Sequence, residues 1–201
     1  CNAAMFFICV ITLAMGGWEL AIRRVSEAIS TMVPIFGGIT FVVLIYVVAS
    51  GNHHIYHWLD KEAVNADPIL RGKAGFLNPT FFIIWTTLII GLWSLLGWRM
   101  RQLSREADEA PMNNEAGKSF IWRGTIRAAL FIVWFALTVG STAPWLWLMS
   151  LDAHWFSTMY SCYTFASTVV SCVALIAFGG IYLNNTGTLN VADSEHCKDR
   201  R

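Results

Sequence analysis

The sequence predicts an all-α, polytopic membrane protein: a bundle of about five transmembrane helices in a single integral membrane domain over 1–201. Three observations predict it. Hydrophobic residues make up 56% of the chain and charged residues 13%, where soluble globular chains carry about 25% charge, and the mean hydropathy is +0.52. Five apolar runs approach the about 20 residues that a helix needs to cross about 30 Å of hydrocarbon, where water cannot bond the backbone. Basic residues, finally, gather in alternate connections between those runs. The net charge of +1 provides no field that would attract nucleic acid.

The first run, 3–22, follows Cys1 almost at once, with neither a basic leader nor a cleavage site, so a fragment or processed start is expected rather than a signal peptide. The second run, 32–50, and the third, 79–98, carry Pro34 and Pro79 in their first turns, where a missing N–H costs nothing. The fourth, 128–150, holds Pro144 in its interior and is expected to kink there. The fifth, 157–183, is long enough to tilt or protrude. Between the third and fourth runs, 102–118 is rich in charge and Asn and reads as a solvated loop, and 184–201 reads as a tail. The five cysteines form no CxxC pair, and Cys9, Cys162 and Cys172 sit inside apolar runs as small packing residues.

Orientation follows from the cations. Arg23, Arg24, Arg99, Arg101, Arg105, Lys118, Arg123, Arg127, Lys198, Arg200 and Arg201 fall on one side, and only Lys61, Arg71 and Lys73 on the other. Eleven against three places the tail and the third connection in the cytoplasm. Tryptophans mark both borders: Trp18, Trp98 and Trp122 on the basic side, and Trp58, Trp145, Trp147 and Trp155 on the other.

Few residues offer chemistry. His53, His57 and Asp60 would share one face if the second helix continued outward, and with His54 they form a candidate polar cap on the outer side. HxxxH is a metal spacing, but no third and fourth ligand accompanies it, and no pair of intramembrane histidines suggests haem. Asp152 and His154 stand at the mouth of the fifth helix, where an acid interacts well with free N–H groups. Below them Ser157, Ser161, Thr164, Thr168 and Ser171 recur at spacings of four, three, four and three. Such a hydroxyl stripe serves helix packing or, in the sharper reading, a hydrated proton path. Glu19, the acid inside the first run, is expected to pair with Arg23 at the inner interface or to take part in proton uptake. No nucleophile and base constellation, phosphate loop or dinucleotide fingerprint occurs, so the chain alone does not read as an enzyme.

The strings NHHIYHWLD, GKAGFLNPTFFI and especially MSLDAHWFSTMYSCYTFAS, with GWELAIRRVSEAI a weaker match, resemble the F-subunit family of bacterial alternative complex III, over nearly the whole chain from Gly16 to about Glu195. That resemblance implies an integral subunit of a respiratory quinol:electron-acceptor oxidoreductase, distantly related to polysulfide-reductase-type membrane anchors and seated in a bacterial inner membrane. It implies no redox cofactor in this chain, haem c and iron-sulfur clusters in partner subunits, quinol nearby, and a scaffold role with a candidate proton path. It also implies further helices after this chain's last residue, so truncation relative to the family is expected. The family pattern has Arg where Trp85 stands and Asp where Leu146 stands; exchange of both together avoids leaving one charge stranded in the membrane.

Two other readings are a haem-binding membrane cytochrome and a transporter or channel. The first needs His53, His57 or His154 as ligands, and the second favours two matching halves with broken helices, which five unequal runs do not show. In the subunit reading, small-residue faces such as Gly37, Gly38 and Gly179, Gly180 are covered by another membrane subunit. The orientation has a direct test: a cysteine placed at Asn65 should react with an impermeant reagent applied from outside, and one placed at Asn113 should not.

Overall fold

The computed structural model describes residues 1–17, 20–51, 54–109 and 114–186, and their regular structure is helical throughout. In chain order the helices are α1 (Asn2–Leu13), α2 (Leu20–Thr31), α3 (Val33–Ala49), the short α4 (Lys61–Ala66) and α5 (Pro68–Lys73), α6 (Pro79–Glu109), α7 (Asn114–Leu137) and α8 (Thr158–Asn185). Among the described residues four stretches are long and apolar enough to cross a membrane: Ile22–Ala49, Pro79–Glu109, Gly117–Leu151 and Thr158–Asn185. The protein is therefore an all-α, multi-pass membrane chain, with four long spans and a shorter apolar helix before them.

The run predicted over 3–22 divides. Helix α1 has 12 residues, about 18 Å at 1.5 Å per residue, too short for the hydrocarbon core. It closes in a Schellman turn: Met15 takes the left-handed φ of 53°, while the Gly16 N–H donates to the Ile11 carbonyl at 3.0 Å and the Met15 N–H to Thr12 at 3.3 Å. Helix α2 then leads into α3 after a single turn residue, so the second span starts ten residues earlier than the predicted 32, at Ile22. The stretch 102–118 is also corrected. Helix α6 runs on to Glu109 and α7 starts at Asn114, because Arg, Gln, Leu, Glu and Ala are strong helix formers and no breaker occurs before Pro111.

Pro144 does disturb the fourth span, as a widening. Without its N–H it cannot close an α turn on residue 140, and the helix turns π over Thr138–Thr142 and Pro144–Leu148. The Ala143 N–H reaches back to the Thr138 carbonyl and the Met149 N–H to that of Pro144. Hydroxyls fill gaps in this ladder: Ser141 Oγ donates to the Leu137 carbonyl at 2.5 Å and Thr142 Oγ1 to the same oxygen at 3.3 Å.

The chain forms two compact units. The first comprises Cys1–Val33, Leu96–Ile132 and Ser167–Arg201, and the second Pro34–Leu95 and Val133–Ala166. The charge asymmetry follows the same division: Arg23, Arg24, Arg99, Arg101, Arg105, Lys118, Arg123 and Arg127 are in the first, and Lys61, Arg71 and Lys73 in the second.

In the first unit α1 packs on α2 and buries Ala4, Ile8 and Cys9, with Leu103, Phe131 and Ile176 also buried. A Cβ on Gly179 would meet Val25 at 3.0 Å, so this glycine is a contact within the chain, whereas Gly180 has nothing within 4 Å. Glu19 lies outside the described residues. The acid that the structure does describe in this region is Glu27, only 9% exposed. Its carboxylate accepts from Arg23 Nε at 3.2 Å and from an Arg24 Nη at 3.0 Å, and Arg24 pairs also with Asp108. The next turn joins in, since Ser30 Oγ donates to the Glu27 carbonyl at 2.7 Å and accepts from Arg101 at 3.2 Å.

In the second unit Val48, Trp58, Leu70, Leu77, Phe82 and Leu146 form the core together with Tyr56 and Ala153. Gly37 allows α3 to approach α6 closely, for a Cβ there would meet Ile90 at 2.9 Å; Gly38 has nothing within 4 Å. Two indoles bond hydroxyls between helices: Trp93 Nε1 to Thr138 Oγ1 at 2.9 Å and Trp147 Nε1 to Thr86 Oγ1 at 3.0 Å.

Removing Glu27 would leave Arg23 without its carboxylate. A fully buried pair broken this way loses about 3–5 kcal/mol; with the guanidinium side chains 32% and 55% exposed, about 1–2 kcal/mol is expected after solvent screening. Thermal unfolding in detergent should therefore show Glu27→Ala below wild type by several degrees, with Glu27→Gln between them.

Candidate functional site

The sequence-predicted polar residues of the outer side gather in the second unit, around 54–78 and 149–158. Helix α3 stops at Ala49 and Gly51 takes the left-handed φ of 61°, which ends outward helical continuation. His57 and Asp60 therefore do not share a helical face. His57 opens a 3₁₀ turn, His54 and His57 are exposed, and His53 lies outside the described residues. Asp60 Oδ1 accepts the Glu62 N–H at 2.9 Å and caps α4, a structural task. Among the described residues no three His, Cys, Asp or Glu side chains come together as a metal-binding group.

Asp67 and Asn78 do the same work further on. Asp67 Oδ1 accepts from the Ile69 N–H at 2.9 Å, with Pro68 at the start of α5, and Asn78 Oδ1 accepts from Phe81 at 2.7 Å, with Pro79 at the start of α6. These caps hold the connection in a fixed path across the end of the unit.

Asp152 and His154 are both exposed in one turn: Asp152 Oδ1 accepts the His154 N–H at 3.1 Å, an Asx turn. The charge partner of His154 is Asp67, which its Nε2 meets, whereas its Nδ1 stands 4.0 Å from Asp152. Asp67 was absent from the sequence-predicted site. The Asp-Pro pair marked it as a helix cap, but nothing local marked a partner 87 residues away. The Ile69 N–H, and then His154, hold the Asp67 carboxyl below its ordinary range. Tyr56 bridges the two segments as well, donating to the Trp147 carbonyl at 3.2 Å. Burial pushes its phenol up, opposed by a hydrogen bond with Ser150.

The hydroxyl stripe of α8 begins below this cap. Ser157, Thr164 and Thr168 are half-buried and Ser161 is buried, while Ser171 is exposed and bonds back to Ser167. Thr164 Oγ1 also turns onto its own helix, donating to the Ser161 carbonyl at 2.9 Å. Ser161 Oγ alone in the stripe is buried with no hydrogen-bond partner among the described residues. Trp85 and Leu146 occupy a common apolar cluster: Leu146 is fully buried, and Trp85 packs against that core, stacked on Phe81 at 5.9 Å. Trp85 and Leu146 are thus joined by apolar packing, and a charge at either position alone would be uncompensated.

Comparison with known proteins finds no family model and no curated protein that matches the chain.

The Asp67–His154 pair makes a pH-dependent contribution. Because the folded carboxyl is held below its ordinary value, its share of stability is present above about pH 4 and is lost as pH falls through the folded value. Asp67→Asn keeps a capping oxygen but loses the charge. Melting in detergent should show wild type above Asp67→Asn at pH 7 and the gap closing toward pH 3; a gap that does not change with pH would contradict this assignment.

Proposed function

We propose that this chain is an integral membrane subunit of a bacterial respiratory quinol:electron-acceptor oxidoreductase of the alternative complex III type. Its role is scaffold, with no redox cofactor of its own, in the inner membrane with its tail cytoplasmic. Haem c and iron-sulfur clusters belong to partner subunits, and quinol binds nearby.

One observation carries the reading. The three strings that resemble the F-subunit family are far apart in sequence, yet their residues meet in one cap. Tyr56 and Trp58 of the first pack against Phe82 of the second, with ring centroids 5.6 and 5.7 Å away. Lys73 of the second donates to the Ala153 carbonyl of the third at 2.5 Å. Local resemblance at three places is therefore resemblance in one structural module. The multi-pass helical character of the chain agrees with it.

The alternative role, a proton path along α8 from Asp152 and His154 past Ser157, Ser161, Thr164 and Thr168, is the reading that this proposal sets against helix packing. The Thr164 hydroxyl is closed onto its own helix, which favours packing over conduction at that position. Purification of the native complex should bring down multihaem and iron-sulfur subunits with this chain, and their absence would overturn the subunit reading. In that complex, Thr164→Val and Asp152→Asn should keep both quinol oxidation and proton release. Loss of proton release with oxidation retained would instead assign the stripe to conduction.

A further inference from the structure

A groove of about 420 Å³ opens in the second unit, between the end of α5, the end of the fourth span and the start of α8. Its walls include Trp145, Met149, Trp155 and Phe156, and Lys73 and Ser157 also line it. The walls are apolar, yet a cation stands among them. Lys73 is half-buried, donates one hydrogen bond to the Ala153 carbonyl at 2.5 Å, and has its ammonium 6.0 Å from the Phe156 ring centroid. Among the described residues no carboxylate forms an ion pair with it; the acids on the neighbouring segments are engaged elsewhere, Asp67 with His154 and Ile69, and Asp152 with the His154 N–H.

An ammonium has three donors and one is used, so two remain for an acceptor that also carries negative charge. A second positive element faces the same space. Ser157 and Thr158 line the groove where α8 begins, and this 28-residue helix has no acid in its first turn, leaving first-turn N–H groups that favour an anion.

We propose that this groove binds the phosphodiester headgroup of an anionic phospholipid, with the phosphate on Lys73 and the start of α8 and the glycerol and upper acyl chain along Trp145, Met149 and Trp155. The walls select a lipid over a free anion. Phe156 is 78% exposed and Trp155 47% exposed, apolar area that a soluble phosphate would leave uncovered and an acyl chain covers. The depth agrees, because the groove lies where two long spans, Gly117–Leu151 and Thr158–Asn185, have their ends, at the level of the headgroups, where Trp is enriched. The cavity volume is within the about 300–1,000 Å³ of small-molecule sites, room for a headgroup and glycerol with the chain tails outside.

The test uses the purified full chain in nanodiscs of phosphatidylcholine with or without phosphatidylglycerol. Wild type should retain one phosphatidylglycerol in native mass spectrometry and melt several degrees higher when it is present. Lys73→Gln should lower retention about tenfold, Lys73→Arg should restore it, and Arg71→Gln, a change at a neighbouring exposed cation, should leave it as in wild type. Trp155→Ser keeps the Lys73 bond to Ala153 and should also lower retention, which gives a reading even if Lys73→Gln fails to fold. Equal stabilisation by inorganic phosphate in phosphatidylcholine discs would reduce the site to a simple anion site and overturn the proposal. So would equal stabilisation by oleate, absence of any phosphatidylglycerol preference in wild type, or unchanged retention in the folded variants.

Discussion

Hydrocarbon offers a backbone amide no water, and an unbonded peptide group there costs several kcal/mol. Each place where this chain leaves the α-helix can be read as an answer to that cost. After Leu13 a Schellman turn returns the N–H groups of Met15 and Gly16 to the end of α1. Around Pro144, two side-chain hydroxyls bond the Leu137 carbonyl, and the backbone adopts longer hydrogen-bonded turns. Across the cap, Asp60, Asp67 and Asn78 each accept an N–H at the start of a helix. The polar side chains of this cap thus begin as capping residues, and their arrangement as a cluster follows from the helices they start.

Charge is subject to the same constraint. Glu27 is nearly buried but lies between two guanidinium groups, and Asp67 meets the His154 ring nitrogen Nε2. Around Trp85 and Leu146 there is no charge to balance, and the space is filled by apolar packing. Lys73 follows neither course: among the described residues its contacts are a carbonyl and a ring face, with no carboxylate paired to it.

The spans were legible because hydropathy is a sum over some 20 residues and tolerates local detail. Where detail decided the outcome, reading failed. The break after Leu13 depends on Met15 adopting a positive φ, which no apolar count registers. The extension of α6 to Glu109 was hidden because charged helix formers lower hydropathy as a loop does. Pro144 announced an irregularity without revealing its π form. At the site, Asp152 and His154 were recognisable as polar residues at the mouth of the fifth helix, but the Asp67 partner comes from a distant segment that only tertiary folding brings near. Glu27 was overlooked for a related reason: it precedes the predicted start of the second run at 32 and so read as part of a connection, whereas the structure places it inside the span Ile22–Ala49.

The π-helical stretch has a consequence for how the fourth span tolerates changes of length. Its turns close from residue 138 to 143 and from 144 to 149, enclosing one residue more than an α turn. Loss of one residue there can be taken up by a return to α pitch, whereas in a regular helix it would rotate every later side chain by about 100°. Trp147 is the side chain most exposed to that adjustment, because its bond to Thr86 fixes the angular position of the span just past Pro144. Length variation within the membrane is therefore concentrated by the fold into one short segment, which acts as a slack coil between two helices whose faces are already committed.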